Sequence, residues 1–232
     1  MNFLGAPHVI IYDPNKIKEA DLPKSYDEIL DPKWKGKVAF RDPLRGNSGA
    51  FFTHFIRETR GSIDWFKKFA MNKPFIAHEG YGVLQAVNDG KYLIGLSRDV
   101  EVFGFDRLLL ERTGKKSKLK FKLLERELPF QYQMLTMSKN APHSAAGRLF
   151  ANWILSAEAR EVLEKAGYSV GERQQAQLGH PKTWRWEMLK PGEKLTRESH
   201  YSLLFAARRT LFRNGAQFER KELERSNASA ED

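Results

Sequence analysis

The segment spanning residues 37–56 constrains this chain most, because it reads as a strand driven through a tight turn into a helix. Lys37-Val38-Ala39-Phe40 has the pattern of a short strand, and Phe51, Phe52, Phe55 and Ile56 recur at the spacing of one helix face. Between them stands Asp42-Pro43-Leu44-Arg45-Gly46-Asn47-Ser48-Gly49-Ala50. A turn of this kind leaves backbone N–H groups unpaired at the helix start, where the helix dipole adds partial positive charge. It can hold a carboxylate or phosphate group, and Arg45 can add a charge-assisted bond. The competing reading is that Asn47 or Ser48 simply caps the helix.

The alternation of strand and helix continues along the chain. Strands are expected at residues 8–12, 37–40, 75–77, 92–96 and 130–137, and helices at 48–60, 62–71, 84–88, 142–155, 157–166 and 197–212. Ser25-Tyr26-Asp27-Glu28 has the form of a capping box opening a short helix that ends before Pro32. Residues 171–194 have little periodicity, and the tail 219–232 is polar. Such alternation points to an α/β fold with helices on both faces of a sheet. Ligands then bind beyond the carboxyl ends of the strands. Three loops fit that position: residues 45–49, 78–82 and 97–99, the first two of which open a helix. The candidate ligand-binding residues are therefore Arg45, Asn47, Ser48, Gly49, Glu79, Gly80, Tyr81, Ser97, Arg98 and Asp99.

Composition removes several alternatives. The chain of 232 residues is long enough for one large domain or two small ones, and 41% apolar residues suffice for a core. Cysteine is absent, which excludes disulfides, thiolate metal sites and Cys nucleophiles. No apolar run reaches the roughly 18 residues of a membrane-spanning helix, and residues 1–11 lack the pattern of a signal peptide. The net charge of +10 raises nucleic acid as a partner. Yet Lys115–Lys122 alternates lysine with Leu119 and Phe121, as a solvated edge strand does, and no zinc-finger spacing or RNA-binding aromatic motif is found. A basic nucleic-acid-associated protein is the disfavoured alternative. The six histidines have no metal-ligand spacing, and no nucleophile elbow, phosphate-binding loop or cofactor motif occurs. Asp42 and Glu79 can be posed as an acid/base pair, but nothing fixes their separation; neither an enzyme nor a cofactor is expected.

The string Lys24-Ser25-Tyr26-Asp27-Glu28-Ile29-Leu30-Asp31-Pro32-Lys33-Trp34-Lys35-Gly36-Lys37-Val38-Ala39 resembles the second lobe of ABC-importer solute-binding proteins of the ferric-iron-binding type. The order of Asn47-Ser48-Gly49, Leu84-Gln85-Ala86-Val87-Asn88-Asp89-Gly90 and Ile94-Gly95 resembles it too, as do Ser138-Lys139-Asn140-Ala141-Pro142-His143 and Lys165-Ala166-Gly167-Tyr168 further on. The resemblance implies a type II periplasmic-binding-protein-like fold, two lobes joined by hinge strands with a solute between them, a periplasmic location and an inner-membrane ABC permease as partner. It places the second lobe at residues 13–128. Residues 129–232 become the hinge return strand and C-terminal helices of the first lobe, whose N-terminal half and export signal are expected to be absent. Iron-binding relatives carry adjacent tyrosines after the strand matching residues 92–96. Here that place reads Ser97-Arg98-Asp99-Val100-Glu101-Val102, so a small anionic or zwitterionic solute is expected, with ferric ion as the alternative.

Overall fold

The computed structural model describes residues 2–168, 170, 183–185 and 197–218. The strands are β1 (Asn2–Tyr12), β2 (Val38–Arg41), β3 (Phe75–Ala77), β4 (Ile94–Arg98), β5 (Lys120–Lys122), β6 (Leu128–Met134), β7 (Thr183–Arg185) and β8 (Gln217–Phe218). The helices are α1 (Gly46–Arg60), α2 (Asp64–Met71), α3 (Gly80–Asn88), α4 (Asp99–Thr113), α5 (Ser144–Ile154), α6 (Ala157–Lys165) and α7 (Arg197–Arg213). Among the described residues, no helix is long and apolar enough to cross a membrane.

The strand order is β7-β6-β1-β4-β2-β3-β8, with β5 also paired to β1. β2 runs parallel to both β3 and β4, so the carboxyl ends of all three meet at one edge. β1 is antiparallel to its three partners, β6 along its first half and β4 and β5 along its second. Residues from Asn2 to Pro7 pair with β6, and His8 to Tyr12 pair with β4, in the register His8↔Arg98 to Tyr12↔Ile94. The changeover falls level with the carboxyl end of β4.

Period-two alternation divides the apolar residues between the two sheet faces. Ile10, Tyr12, Val38, Phe40, Ile94 and Leu96 point to one face, beneath Phe52, Phe55 and Ile56 of α1 and Trp65, Phe66 and Phe69 of α2. Val9, Ile11 and Ala39 point to the other, beneath Val83, Leu84 and Val87 of α3 and Val102 and Phe105 of α4.

Two elements depart from the sequence reading. Helix α4 is a full 15-residue helix where only a loop was expected, so the third candidate loop opens a helix as well. Its Val100, Val102, Phe103, Phe105, Leu108, Leu109 and Leu110 encircle the axis and hide the 3.6-residue period. Helix α7, expected to belong with residues 129–232, packs instead on α1 and α2. Ala207 and Leu211 enter the same core as Phe52 and Trp65, and Gln217 pairs with Phe75. By contrast, α5 buries none of its residues. Most of the irregular stretch 171–194 and all of the tail 219–232 lie outside the described residues.

Candidate functional site

Helices α1, α3 and α4 begin directly beyond β2, β3 and β4, so three helix N-termini converge on one edge of the sheet. The residue preceding α1 is Arg45, and the one preceding α3 is Glu79; neither caps its helix with its side chain. Asn47 and Ser48 fall inside the first turn of α1, which overturns the reading of either as the cap. The leading N–H groups of α1 and α3 are therefore not closed by the residue best placed to do so.

The turn before α1 is wrapped around Asp42, which is fully buried. The Asp42 N–H donates to the Ala77 carbonyl at 2.9 Å, tying the end of β2 to the end of β3. Its Oδ1 accepts from the Leu44 N–H at 2.9 Å, and its carbonyl accepts from the Arg45 N–H at 3.0 Å. Its Oδ2 accepts from Arg208 Nε of α7 at 2.8 Å. Gly49 closes over this turn: a Cβ there would lie 2.4 Å from the Asp42 carbonyl oxygen, so the position admits only glycine without displacing backbone. Asp42 is thereby engaged structurally, and Glu79 is exposed, which leaves the acid/base pairing without support.

The second half of the site gathers around Glu101. Ser97 Oγ donates to Glu101 Oε2. Arg98 donates from its guanidinium to Oε1 at 2.8 Å, and Arg41 to the same oxygen at 3.4 Å. The Arg98 N–H reaches Oε2 at 3.4 Å, so Glu101 reaches back to cap α4. Gly80 adjoins the same carboxylate, since a Cβ there would lie 2.7 Å from Oε1. Burial alone would raise the Glu101 carboxyl, but Arg98, Ser97 and Arg41 together hold it below the ordinary carboxylate range. Two guanidinium groups, each more than four-fifths buried, thus share one carboxylate. Burial, opposed by Glu101 and assisted by the nearby Arg98, lowers the pKa of Arg41.

His8 links the two halves. It lies opposite Arg98 on β1 and stacks on Phe51 and Phe52 of α1, with ring centroids 5.0 and 6.0 Å apart. Burial and then the Arg98 charge push its pKa down to about 3, so the imidazole is neutral.

The structure thus brings Gly80, Ser97 and Arg98 together around Glu101 and lays Gly49 over the Asp42 turn, with Ser48 buried in the first turn of α1. Arg45 is exposed at the mouth of α1, and Tyr81 is 41% exposed with its ring against Phe105. Asp99 is buried at the first position of α4, where its Oδ1 accepts from the Val100 N–H. Sequence reasoning missed the roles of His8, Arg41 and Arg208, whose partners are 90, 60 and 166 positions away or in another strand. It also treated the histidines singly, whereas His54 Nε2 lies 2.9 Å from His200 Nδ1 with the rings stacked. Among the described residues, no group of three or more His, Asp or Glu side chains is placed to hold a metal ion. Hollows of about 480 and 600 Å³ around Trp34 and around Arg60 include none of the candidate residues.

Comparison with known proteins agrees with this architecture. Over 177 residues the chain is 26% identical to the Fe(3+)-binding periplasmic protein of Serratia marcescens, a match covering 70% of this chain and 49% of that protein. The chain thus spans about half the length of that relative. Among solved structures, the substrate-binding protein of an ABC transporter from Agrobacterium tumefaciens superposes with a TM-score of 0.72 at 16% identity, over 90% of this chain and 66% of that one. Iron-bound HitA from Pseudomonas aeruginosa superposes with a TM-score of 0.64 at 18% identity, over 91% and 68% respectively. The family model described as bacterial extracellular solute-binding protein matches residues 2–169, from the start of β1 past the end of α6, and this chain belongs to that family.

Proposed function

We propose that the protein is a solute-binding component of an ABC-type importer, working in the periplasm and passing its solute to an inner-membrane permease. The solute is small and anionic or zwitterionic, and it is bound rather than chemically altered. The observation that carries this reading is the meeting of the α1, α3 and α4 N-termini beside Arg41 and Arg98, two arginines that share the Glu101 carboxylate and whose Nε atoms are left without a partner. Arg41 and Arg98 each keep an Nε–H without a partner beside three helix N-termini, donors that an anion can satisfy although Glu79, Asp42 and Glu101 also act on Arg41. Family membership supports the binding role. In this reading β1 is a hinge strand. The body built on β2, β3 and β4, with α7 packed on it, forms one lobe, and β6 with α5 and α6 belongs to the other.

Ferric ion, named for the Serratia relative, is the rival cargo. It calls for hard anionic oxygens, whereas Glu101 is already engaged by Ser97, Arg98 and Arg41. Calorimetric titration of the whole chain with inorganic phosphate, propionate and ferric citrate separates the two. Phosphate or propionate should bind, more weakly as salt rises, and Arg45→Ala or Arg98→Ala should weaken it. A visible phenolate-to-iron band with ferric citrate, and no anion binding, would sink the proposal in favour of iron.

A further inference from the structure

Among the described residues, the buried side-chain polar atoms without a hydrogen-bond partner are His8 Nε2, Tyr26 Oη, Trp34 Nε1, Arg41 Nε, Arg98 Nε and Gln131 Oε1. Native interiors leave few such atoms, and a group of them asks for a missing partner. Four of the six belong to Arg41 and Arg98, which bond Glu101, to His8 on β1 across from Arg98, and to Gln131 on the neighbouring β6. His8 is 3% exposed and Gln131 8%. Gln131 lies opposite Ala6 across β1 and β6, and His8 lies opposite Arg98 across β1 and β4. Facing residues share a sheet face, and positions 6 and 8 of one strand share it too. His8, Arg98 and Gln131 therefore project to the same side, where β1 passes from one partner strand to the other.

The chemistry of the unmatched atoms is mixed. Arg41 Nε and Arg98 Nε are donors and call for anionic oxygen. Gln131 Oε1 is an acceptor and calls for an N–H or O–H. The neutral His8 ring supplies a second acceptor when its proton is on Nδ1. Gln131 lies within reach of the His8 ring and acts to raise its pKa, yet His8 Nε2 and Gln131 Oε1 both remain without a hydrogen bond, so a bare anion satisfies the first pair and leaves the second unmatched.

We propose that His8 and Gln131 are solute-recognising residues, and that the solute carries a hydrogen-bond donor, amino or hydroxyl, close to its anionic group. This rests on the anion-binding reading above and narrows its solute class to short amino or hydroxy acids. A site built to bond a donor discriminates strongly against the analogue that lacks it, because its own buried acceptors are then left unpaired.

The test uses the whole chain and three matched probes: propionate, β-alanine and 3-hydroxypropionate, titrated by calorimetry and by ¹⁵N NMR of the histidine rings. At least one of the latter two should bind about tenfold or more tightly than propionate. The His8 ring resonances should move with that probe and not with propionate. Gln131→Leu should cut the preference below about threefold while leaving propionate affinity nearly unchanged. Gln131→Asn, which keeps the amide but withdraws it, should fall between. Equal affinity of the wild type for all three probes would overturn the inference while leaving the anion reading intact. Equal weakening of all three by both variants would overturn it too, reducing Gln131 to a structural role. Failure of every probe and of inorganic phosphate to bind would remove the anion reading and this inference with it.

Discussion

The body built on β2, β3 and β4 and the region of β6, α5 and α6 share strand β1 but treat their apolar residues differently. In the first, Phe52 and Phe55 of α1 interlock with Trp65, Phe66 and Phe69 of α2, and α7 joins them with Ala207 and Leu211. In the second, α5 places Leu149, Phe150 and Trp153 at 72%, 53% and 40% exposure. Both stretches are rich in apolar residues; what separates them is whether a second layer covers the face. Amphipathic pattern gives a helix a buried side only where another element meets it. The candidate site stands on the well-covered body, where a pre-organised edge is available to hold a ligand.

Truncation of an aromatic ring gives the largest expected contrast. Phe52 is fully buried among Tyr26, Phe40, Phe55, Trp65 and His8. Phe52→Ala should cost about 3–5 kcal/mol in urea unfolding, the range for a buried aromatic ring. Phe150→Ala should stay within about 0.5 kcal/mol, as exposed positions do. Equal losses would break the comparison, because they would mean that the α5 face is covered in solution.

The contact between α7 and the Asp42 turn comes next. Arg208→Ala removes the Arg208 guanidinium from its ion pair with the fully buried Asp42 carboxylate. Breaking such a pair from one side costs about 3 kcal/mol. Amide exchange at Leu44 and Arg45 should accelerate with it, since their N–H groups are bonded to Asp42. Arg208→Ala combined with Asp42→Asn should recover much of the loss. An unchanged midpoint for the single variant would show that α7 does not brace the Asp42 turn.

Acid should act on the same body. The pKa of His8 is near 6.5 when unfolded and about 3 when folded, so the unfolded state takes up its proton first. Stability is complete above about pH 6.5 and is lost as pH falls toward 3; at about 1.4 kcal/mol per unit, this group costs about 2 kcal/mol by pH 5. Glu101 is shifted below its ordinary value, so its contribution is held above the carboxylate range and lost only at more acidic pH. His8→Phe should flatten the stability profile between pH 6.5 and 5 relative to wild type. A slope unchanged by that substitution would refute the burial of a neutral His8.

Much of this architecture was legible in the sequence, and the losses have physical causes. The turn from β2 into α1 announced itself because a β-period ends at Asp42-Pro43 and a helical period resumes at Phe51. Helix α4 was hidden by apolar residues on all sides, although Asp99 and Glu101 at its start and Gly114 at its end, with φ of 71°, are the residues that open and close a helix. Arg98 was reached through its place at a strand end. His8, Arg41, Arg208 and Gln131 could not be reached that way, because each is defined by a partner on another element that local periodicity does not encode.

The smallest expected effect tests whether the two regions unfold as one. Ser156 caps α6, its Oγ accepting from the Ala159 N–H at 3.2 Å. Ser156→Ala should remove about 1 kcal/mol from that helix. Helix α6 packs on α5, and α5 buries no residue of its own. If the region opens by itself, the loss should appear as faster amide exchange in α5 and α6 alone. The exchange of β4 and α3, where Leu84, Val87 and Ile94 are fully buried, should then be unchanged. If both regions unfold together, the slowest-exchanging amides of β4 should lose the same 1 kcal/mol or so as the α6 amides do. That result would erase the energetic distinction between the two regions even though their burial differs.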